Sequence, residues 1–212
     1  VLSGEKAFLR IDQDMVQNLF WTDGLVTQEE REQRLKQKGV TIWLTGLSAS
    51  GKSTIARTLE RKLFDLGYLT FVLDGDNIRR GLNSNLGFSP EDRSENIRRI
   101  AELANLFSMA GIINVAAFIS PYGRERNLAR QLAGNGNFVE VYVNCPLEVC
   151  IQRDPKDLYK RALRGEIKNF TGIDAPYEAP EQPDLVIKTD IESAGECVNN
   201  ILRYLREKQF IK

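Results

Sequence analysis

From about residue 39 onward, short apolar runs alternate with stretches of helical period, a rhythm absent from the residues before it. The runs at 41–45, 70–73, 112–118, 138–144 and 185–187 are brief and rich in β-branched and aromatic residues, so they read as strands. Between them the spacing of apolar positions predicts helices at roughly 52–66, 91–109, 122–133, 147–152 and 193–208. The 91–109 segment shows the pattern well. Ile97, Ile100, Ala101, Ala104 and Phe107 form one apolar stripe, which leaves Arg98, Arg99 and Glu102 on another face. Its start is marked by Ser89-Pro90-Glu91-Asp92, in which serine caps, proline suits the first helical position and two acids meet the positive end of the helix dipole. Strand and helix alternating in this way predict an α/β fold, a parallel sheet with helices on both faces. Its ligands belong in the crevice at the carboxyl ends of the strands.

Two segments stand outside the rhythm. Residues 1–38 are polar and charged, and form an expected N-terminal helical extension whose removal spares the fold. Within it Thr27-Gln28-Glu29-Glu30 resembles a capping box. The stretch 154–183 is rich in Lys and Arg, carries Gly165 and Gly172, and ends among Pro176, Pro180 and Pro183, so it reads as a lid over the site. One catalytic domain over 39–212 therefore suffices for a chain of 212 residues.

Charge and composition narrow the function. With 29 basic and 29 acidic residues the formal net charge is zero, so no global field favours nucleic acid or a membrane surface. No apolar run approaches the ~20 residues of a membrane span, and the first residues lack the order of a signal peptide. Cys145, Cys150 and Cys197 have no metal-ligand spacing and there is no histidine to complete a zinc site, which points to a reducing, cytoplasmic compartment. Without histidine, acid–base work falls to carboxylates, and charge stabilisation to cations and metal.

The chemistry is concentrated directly after the strands. Gly46-Leu47-Ser48-Ala49-Ser50-Gly51-Lys52-Ser53 fits G-x-x-x-x-G-K-[ST] between a strand and a helix, the arrangement that cradles ATP phosphates in backbone N–H groups at a helix N-terminus. Gly46, Ser48, Ala49, Ser50, Gly51, Lys52, Ser53 and Thr54 are the expected ATP-binding residues. Lys52 reaches the β and γ phosphates, and Ser53 supplies a hydroxyl to Mg²⁺. Asp74-Gly75-Asp76 closes the second strand, and Asp74 is the candidate catalytic base or second metal residue beside Lys52. The same pattern also suits an aspartate capping a helix. Asp76 with Arg79, and Arg93 with Asn96, share a three-residue spacing that places each pair on one helix face.

Together these motifs resemble the adenylylsulfate kinase family of P-loop kinases, over residues 39–212. The resemblance rests on LTGLSASGKST at 44–54, DGDNIR at 74–79, LGFS at 86–89, DRSENIRR at 92–99, FISPY at 118–122 and FTGIDAPYEAP at 170–180. It implies a P-loop kinase fold and the MgATP-dependent phosphorylation of the 3′-hydroxyl of adenosine 5′-phosphosulfate (APS), a step of sulfate activation. It further implies that Asp76, Arg79, Arg93 and Asn96 hold the ribose and phosphosulfate of APS. Phe88 and Phe170 would grip its adenine, Ile119 and Ser120 line the same pocket together with Asn169, and Lys156 reach in from the lid. The likeness suggests a homodimer, and the opening on Val1 permits a fused or partner ATP sulfurylase upstream. The chain departs from the family pattern at Arg80, where many relatives have His, and at Gly123, where a larger residue is common. Asp157 and Asn169 stand where glycine is usual. An alternative is a non-catalytic, allosteric nucleotide-binding domain of a sulfate-activating protein. Another small-metabolite P-loop kinase is a further reading, which the Phe88 and Phe170 blocks disfavour.

Overall fold

A computed structural model describes Phe20, Thr22 and residues 24–212 apart from Asn135; of the expected extension, residues 1–19, Trp21 and Asp23 lie outside the described residues. Five strands, β1 (Val40–Thr45), β2 (Thr70–Asp74), β3 (Ile113–Ala117), β4 (Phe138–Asn144) and β5 (Leu185–Lys188), form a sheet in the order β2-β3-β1-β4-β5. Every neighbouring pair is parallel, with Val40 level with Ile113 and Thr41 level with Phe138 on its two sides. Each strand and helix expected from the sequence is present to within one residue at either end.

All six residues of β1 are buried, because helices cover both faces. Val40, Ile42 and Leu44 pack with α2 (Lys52–Asp65) and α8 (Ala194–Glu207), through Ile55, Leu59, Leu63, Val198, Ile201 and Leu205. Trp43 points the other way, onto α4 (Pro90–Met109) and α5 (Gly123–Ala133), among Ile97, Ile100, Ala104 and Ala129. The chain thus leaves β1 toward one face and the adjacent β3 toward the other. Such a reversal opens a crevice between the ends of the two strands, and the loops that follow β1, β2 and β3 meet there.

Shorter elements complete the frame: α1 (Gln28–Leu35), α3 (Gly75–Arg80), α6 (Leu147–Arg153) and α7 (Leu158–Leu163). Thr27 does form a capping box, accepting from the Glu30 N–H at 3.2 Å while its own N–H donates to Glu30 Oε2 at 2.8 Å. Just beyond α1, the buried Gln37 joins that segment to the body. Its amide donates to the carbonyls of Leu69 (2.9 Å) and Gly111 (2.8 Å) and accepts from the Leu69 N–H (2.7 Å). The 154–183 segment is not all irregular. It contains α7, and its Tyr159 and Phe170 form a small apolar core with Cys145 and Cys150. Among the described residues no helix is long and apolar enough to cross a membrane.

Candidate active site

The turn after β1 is possible only with glycine at its start. Gly46 has φ +154°, and a Cβ there would lie 2.5 Å from the carbonyl oxygen of Val143 on β4. Gly51, at φ +98°, caps α2, and Ala49 between them is also left-handed at φ 58°. Lys52 opens the helix and is 8% exposed. Its ammonium donates to the loop's own carbonyls, Gly46 O at 2.9 Å and Leu47 O at 2.6 Å. Burial lowers its pKa to about 8, against partial compensation from Asp74 and Asp76. The loop is braced from outside: Tyr159 donates to Ser48 O at 3.0 Å and Thr189 to Ser50 O at 2.7 Å. Ser50 is buried within the loop, and Thr54 is exposed on the first turn of α2.

Ser53 donates its hydroxyl to Asp74 Oδ2 at 2.8 Å, while Asp74 Oδ1 accepts from the N–H of Asp76 at 3.0 Å. Asp74 therefore does cap α3 with one oxygen, and its other oxygen accepts from Ser53. Two adjacent hard oxygens, one of them anionic, fit a magnesium ion that fills its remaining places with phosphate oxygens and water.

Of the expected acceptor residues, Arg79 and Arg93 gather around Phe88 and the main chain beside it, and Arg93 also reaches the segment of Phe170, whereas Asn96, Ile119 and Ser120 bond to other partners. Arg79 donates to Gly87 O at 2.8 Å and lies over the Phe88 ring, 4.6 Å from its centroid. Arg93 donates to Phe88 O (3.0 Å), to the hydroxyl of Thr171 (3.0 Å) and to Asn169 O (2.6 Å). One guanidinium thus links the two segments that carry Phe88 and Phe170. Burial lowers the pKa of both arginines, yet neither has a carboxylate within its hydrogen-bonding fork. They form a cationic pair suited to an anion. Phe88 is 62% exposed, whereas Phe170 is buried edge-on to Tyr159 at 5.0 Å between centroids. Lys156 and Asp76 form an ion pair from opposite sides. Asn96 is buried and accepts from Asn83 Nδ2 at 3.0 Å. The carbonyl of Ile119 accepts from Thr45 at 2.8 Å, and the hydroxyl of Ser120 accepts from the indole N–H of Trp43 at 3.0 Å.

Backbone strain collects here. Ala49, Ser120, Asp157 and Asn169 all have φ between 39° and 58°, a conformation unfavourable to most side chains. At Asp157 and Asn169 the backbone is one that glycine adopts freely. Asn and Asp are the residues other than glycine that tolerate it best.

Sequence reasoning missed the frame behind the site: the buried Arg126, Glu140 and Tyr159, the half-buried Tyr177 and the exposed Glu178. Their contacts join residues far apart in the chain, and no local spacing announces them. It also missed a cleft of about 620 Å³ between Leu47 and residues 172–179, walled by Tyr142 and Tyr177, whose rings stack at 6.2 Å. None of the site residues expected from sequence lines it.

Comparison with known proteins identifies the family. The adenylylsulphate kinase family profile matches residues 38–188. The adenylyl-sulfate kinase of Clostridium acetobutylicum is 55% identical over 194 residues, 92% of this chain and 96% of the relative. That of Staphylococcus carnosus is 54% identical over 195 residues, 92% and 98% of the two chains. The structure of the Mycobacterium tuberculosis APS kinase CysC in complex with AMPPNP and APS superposes with a TM-score of 0.77 at 46% identity, covering 80% of this chain and 99% of that one. On the sequence motifs, the fold and these likenesses, the chain belongs to the adenylylsulphate kinase family.

Proposed function

We propose that this protein transfers the γ-phosphoryl group of ATP to the 3′-hydroxyl of APS, giving 3′-phosphoadenosine 5′-phosphosulfate and ADP. The observation that carries this is the Ser53–Asp74 hydrogen bond at the foot of the helix opened by the buried Lys52, with Asp76 bonded to the same carboxylate and paired with Lys156 of the lid segment. Phosphoryl transfer passes through a loose transition state, so alignment and charge stabilisation supply most of the acceleration. Gly46, Ser48, Ala49, Ser50, Gly51 and Thr54 form the phosphate cradle at the start of α2. Lys52 exchanges its loop carbonyls for phosphate oxygens as charge develops on them. Ser53 and Asp74 would hold Mg²⁺, which would neutralise phosphate charge when bound, and the Asp74 carboxylate serves as the base that takes the acceptor's proton.

For the acceptor, Arg79 and Arg93 meet the phosphosulfate with Asn96 and Asp76 beside the ribose. Phe88 and Phe170 grip the adenine, Ile119, Ser120 and Asn169 line the pocket, and Lys156 reaches in from the 154–183 lid. A sulfurylase, fused or separate, would supply APS. A homodimer is supported by Phe71 and Phe107, stacked at 5.4 Å on the open edge of the sheet with Leu69 and Leu106 exposed nearby. The three cysteines are unpaired, which supports a reducing, cytoplasmic compartment.

The deciding experiment is Mg²⁺-dependent ADP release from ATP with APS as acceptor, beside AMP, shikimate and gluconate. Turnover only with APS is expected. Saturable APS binding without turnover would instead support the regulatory-domain reading, and turnover with a control acceptor another metabolite kinase.

A further inference from the structure

Arg126, on the first turn of α5, is 3% exposed and uses all three faces of its guanidinium. Nε donates to Glu140 Oε1 on β4, Nη1 to the carbonyl of Ser120 and Nη2 to the carbonyl of Glu178, each at 2.8 Å. The first bond anchors the cation in the sheet. The other two reach the acceptor loop after β3 and the last part of the lid. Three more contacts reinforce that junction. The Glu178 N–H donates to Pro121 O at 2.8 Å, the Gly123 N–H to Glu178 Oε2 at 2.6 Å, and Thr45 and Tyr177 share a hydroxyl bond of 3.0 Å.

We infer that Arg126 is a positioning residue for the proposed reaction, fastening the loop of Ile119 and Ser120 to the C-terminal root of the lid so that pocket and lid move as one unit. Two features argue for this beyond packing. Ser120 holds a left-handed backbone at φ 39°, unfavourable for a serine, and Arg126 bonds that residue's own carbonyl with charge assistance. And a buried arginine must satisfy its remaining N–H groups as well as its charge; this one does so on main-chain oxygens of two segments distant in sequence, the loop after β3 and the C-terminal root of the lid. Lysine at this position keeps the charge opposite Glu140 but has no fork to span both carbonyls.

The inference rests on APS being the acceptor, and the test separates the two. Arg126→Lys and the charge-neutral double variant Arg126→Gln/Glu140→Gln are compared with the wild type in steady-state kinetics and in limited trypsinolysis within the lid, at Arg161, Arg164 and Lys168. In both variants KM for APS is expected to rise about tenfold with KM for ATP within about twofold, and lid cleavage to accelerate. An unchanged KM for APS, or both KM values rising in parallel with a general loss of thermal stability, would overturn the positioning role. A wild type inactive on APS would instead sink the functional reading. Lid cleavage still reports on the junction in that case, and cleavage at wild-type rate in both variants would overturn the inference by itself.

Discussion

Arg93 on α4 donates to the main-chain oxygen of Asn169 at 2.6 Å, across 76 residues of sequence. A single cation thereby closes the lid segment against the helix that bears it, before any ligand is considered. Arg93→Lys retains charge and loses the fork, so APS affinity is expected to fall by about 1.5–3 kcal/mol, the range for hydrogen bonds to charged groups. Titration calorimetry with APS in the presence of ADP measures it, and an unaltered affinity would show the contact to be structural only.

Lys52→Ala and Asp74→Asn should each lower kcat by about 100-fold or more, since a preorganised charge acting on the transition state supplies several kcal/mol. Asp74→Asn keeps an oxygen able to cap α3, so circular dichroism should remain that of the wild type. Near-normal turnover in either variant removes that residue from its assigned role.

The two aromatic residues separate stability from recognition. Phe170 is 8% exposed against Tyr159, so Phe170→Ala should cost about 3 kcal/mol of folding free energy in addition to weakening APS binding. Phe88 is 62% exposed, and Phe88→Ala should leave stability almost unchanged while costing about 1–3 kcal/mol of APS affinity through lost stacking. Denaturant melts beside binding isotherms distinguish the two effects, and equal affinity in the Phe88 variant would return that ring to the surface.

Removing residues 1–38 should leave the chain folded but less stable. Without Gln37, the Leu69 N–H and the carbonyls of Leu69 and Gly111 lose their partner. A loss of about 1–3 kcal/mol is expected, shared by Gln37→Ala in the full chain and absent from a truncation ending at residue 26. Urea unfolding of the three proteins checks this. Equal stability of all three would make the Gln37 contacts energetically silent.

Glu125 is 4% exposed. Its Oε1 accepts from Ser94, its Oε2 has no hydrogen-bond partner, and burial raises its pKa. The folded chain therefore holds this proton at pH values where the unfolded chain has released it. The associated stability is fully present below the ordinary glutamate range and is lost as pH rises through the raised folded pKa. Glu125→Gln removes that loss, and should gain stability relative to wild type on going from pH 4 to pH 7. Melts between pH 4 and 8 should show the two curves diverging as pH rises, and parallel curves would contradict the assignment.

How much of this was legible in the sequence follows from how local each feature is. The three central strands, β3, β1 and β4, are largely apolar because helices cover both faces, and β-branched or aromatic residues still marked the partly exposed edge strands β2 and β5, so all five could be bounded closely. The phosphate loop was legible because its glycines, lysine and serine are contiguous. Helix α7 was missed, since it lies in a basic segment whose apolar residues, Tyr159 and Ala162, pack on a local core rather than on the sheet. Phe170 was ambiguous for a related reason: it is buried core, yet its neighbours Asn169 and Thr171 bond Arg93. Arg126 was invisible, because its partners at 120, 140 and 178 acquire meaning only when the chain is folded. Asp157 and Asn169 lay between these cases. They stood out only as departures from the family pattern expected from the sequence, and the structure adds that both have a left-handed backbone.

The bond from the Trp43 indole to the Ser120 hydroxyl gives the protein an optical reporter of its own pocket. The chain has two tryptophans. With Trp21 replaced by phenylalanine, emission comes from Trp43 alone, a ring fully buried behind the acceptor loop. Its fluorescence then follows the loop directly, so that a ligand drawing the Ser120 hydroxyl away from the indole can be timed in a stopped-flow instrument without a label or a coupled enzyme.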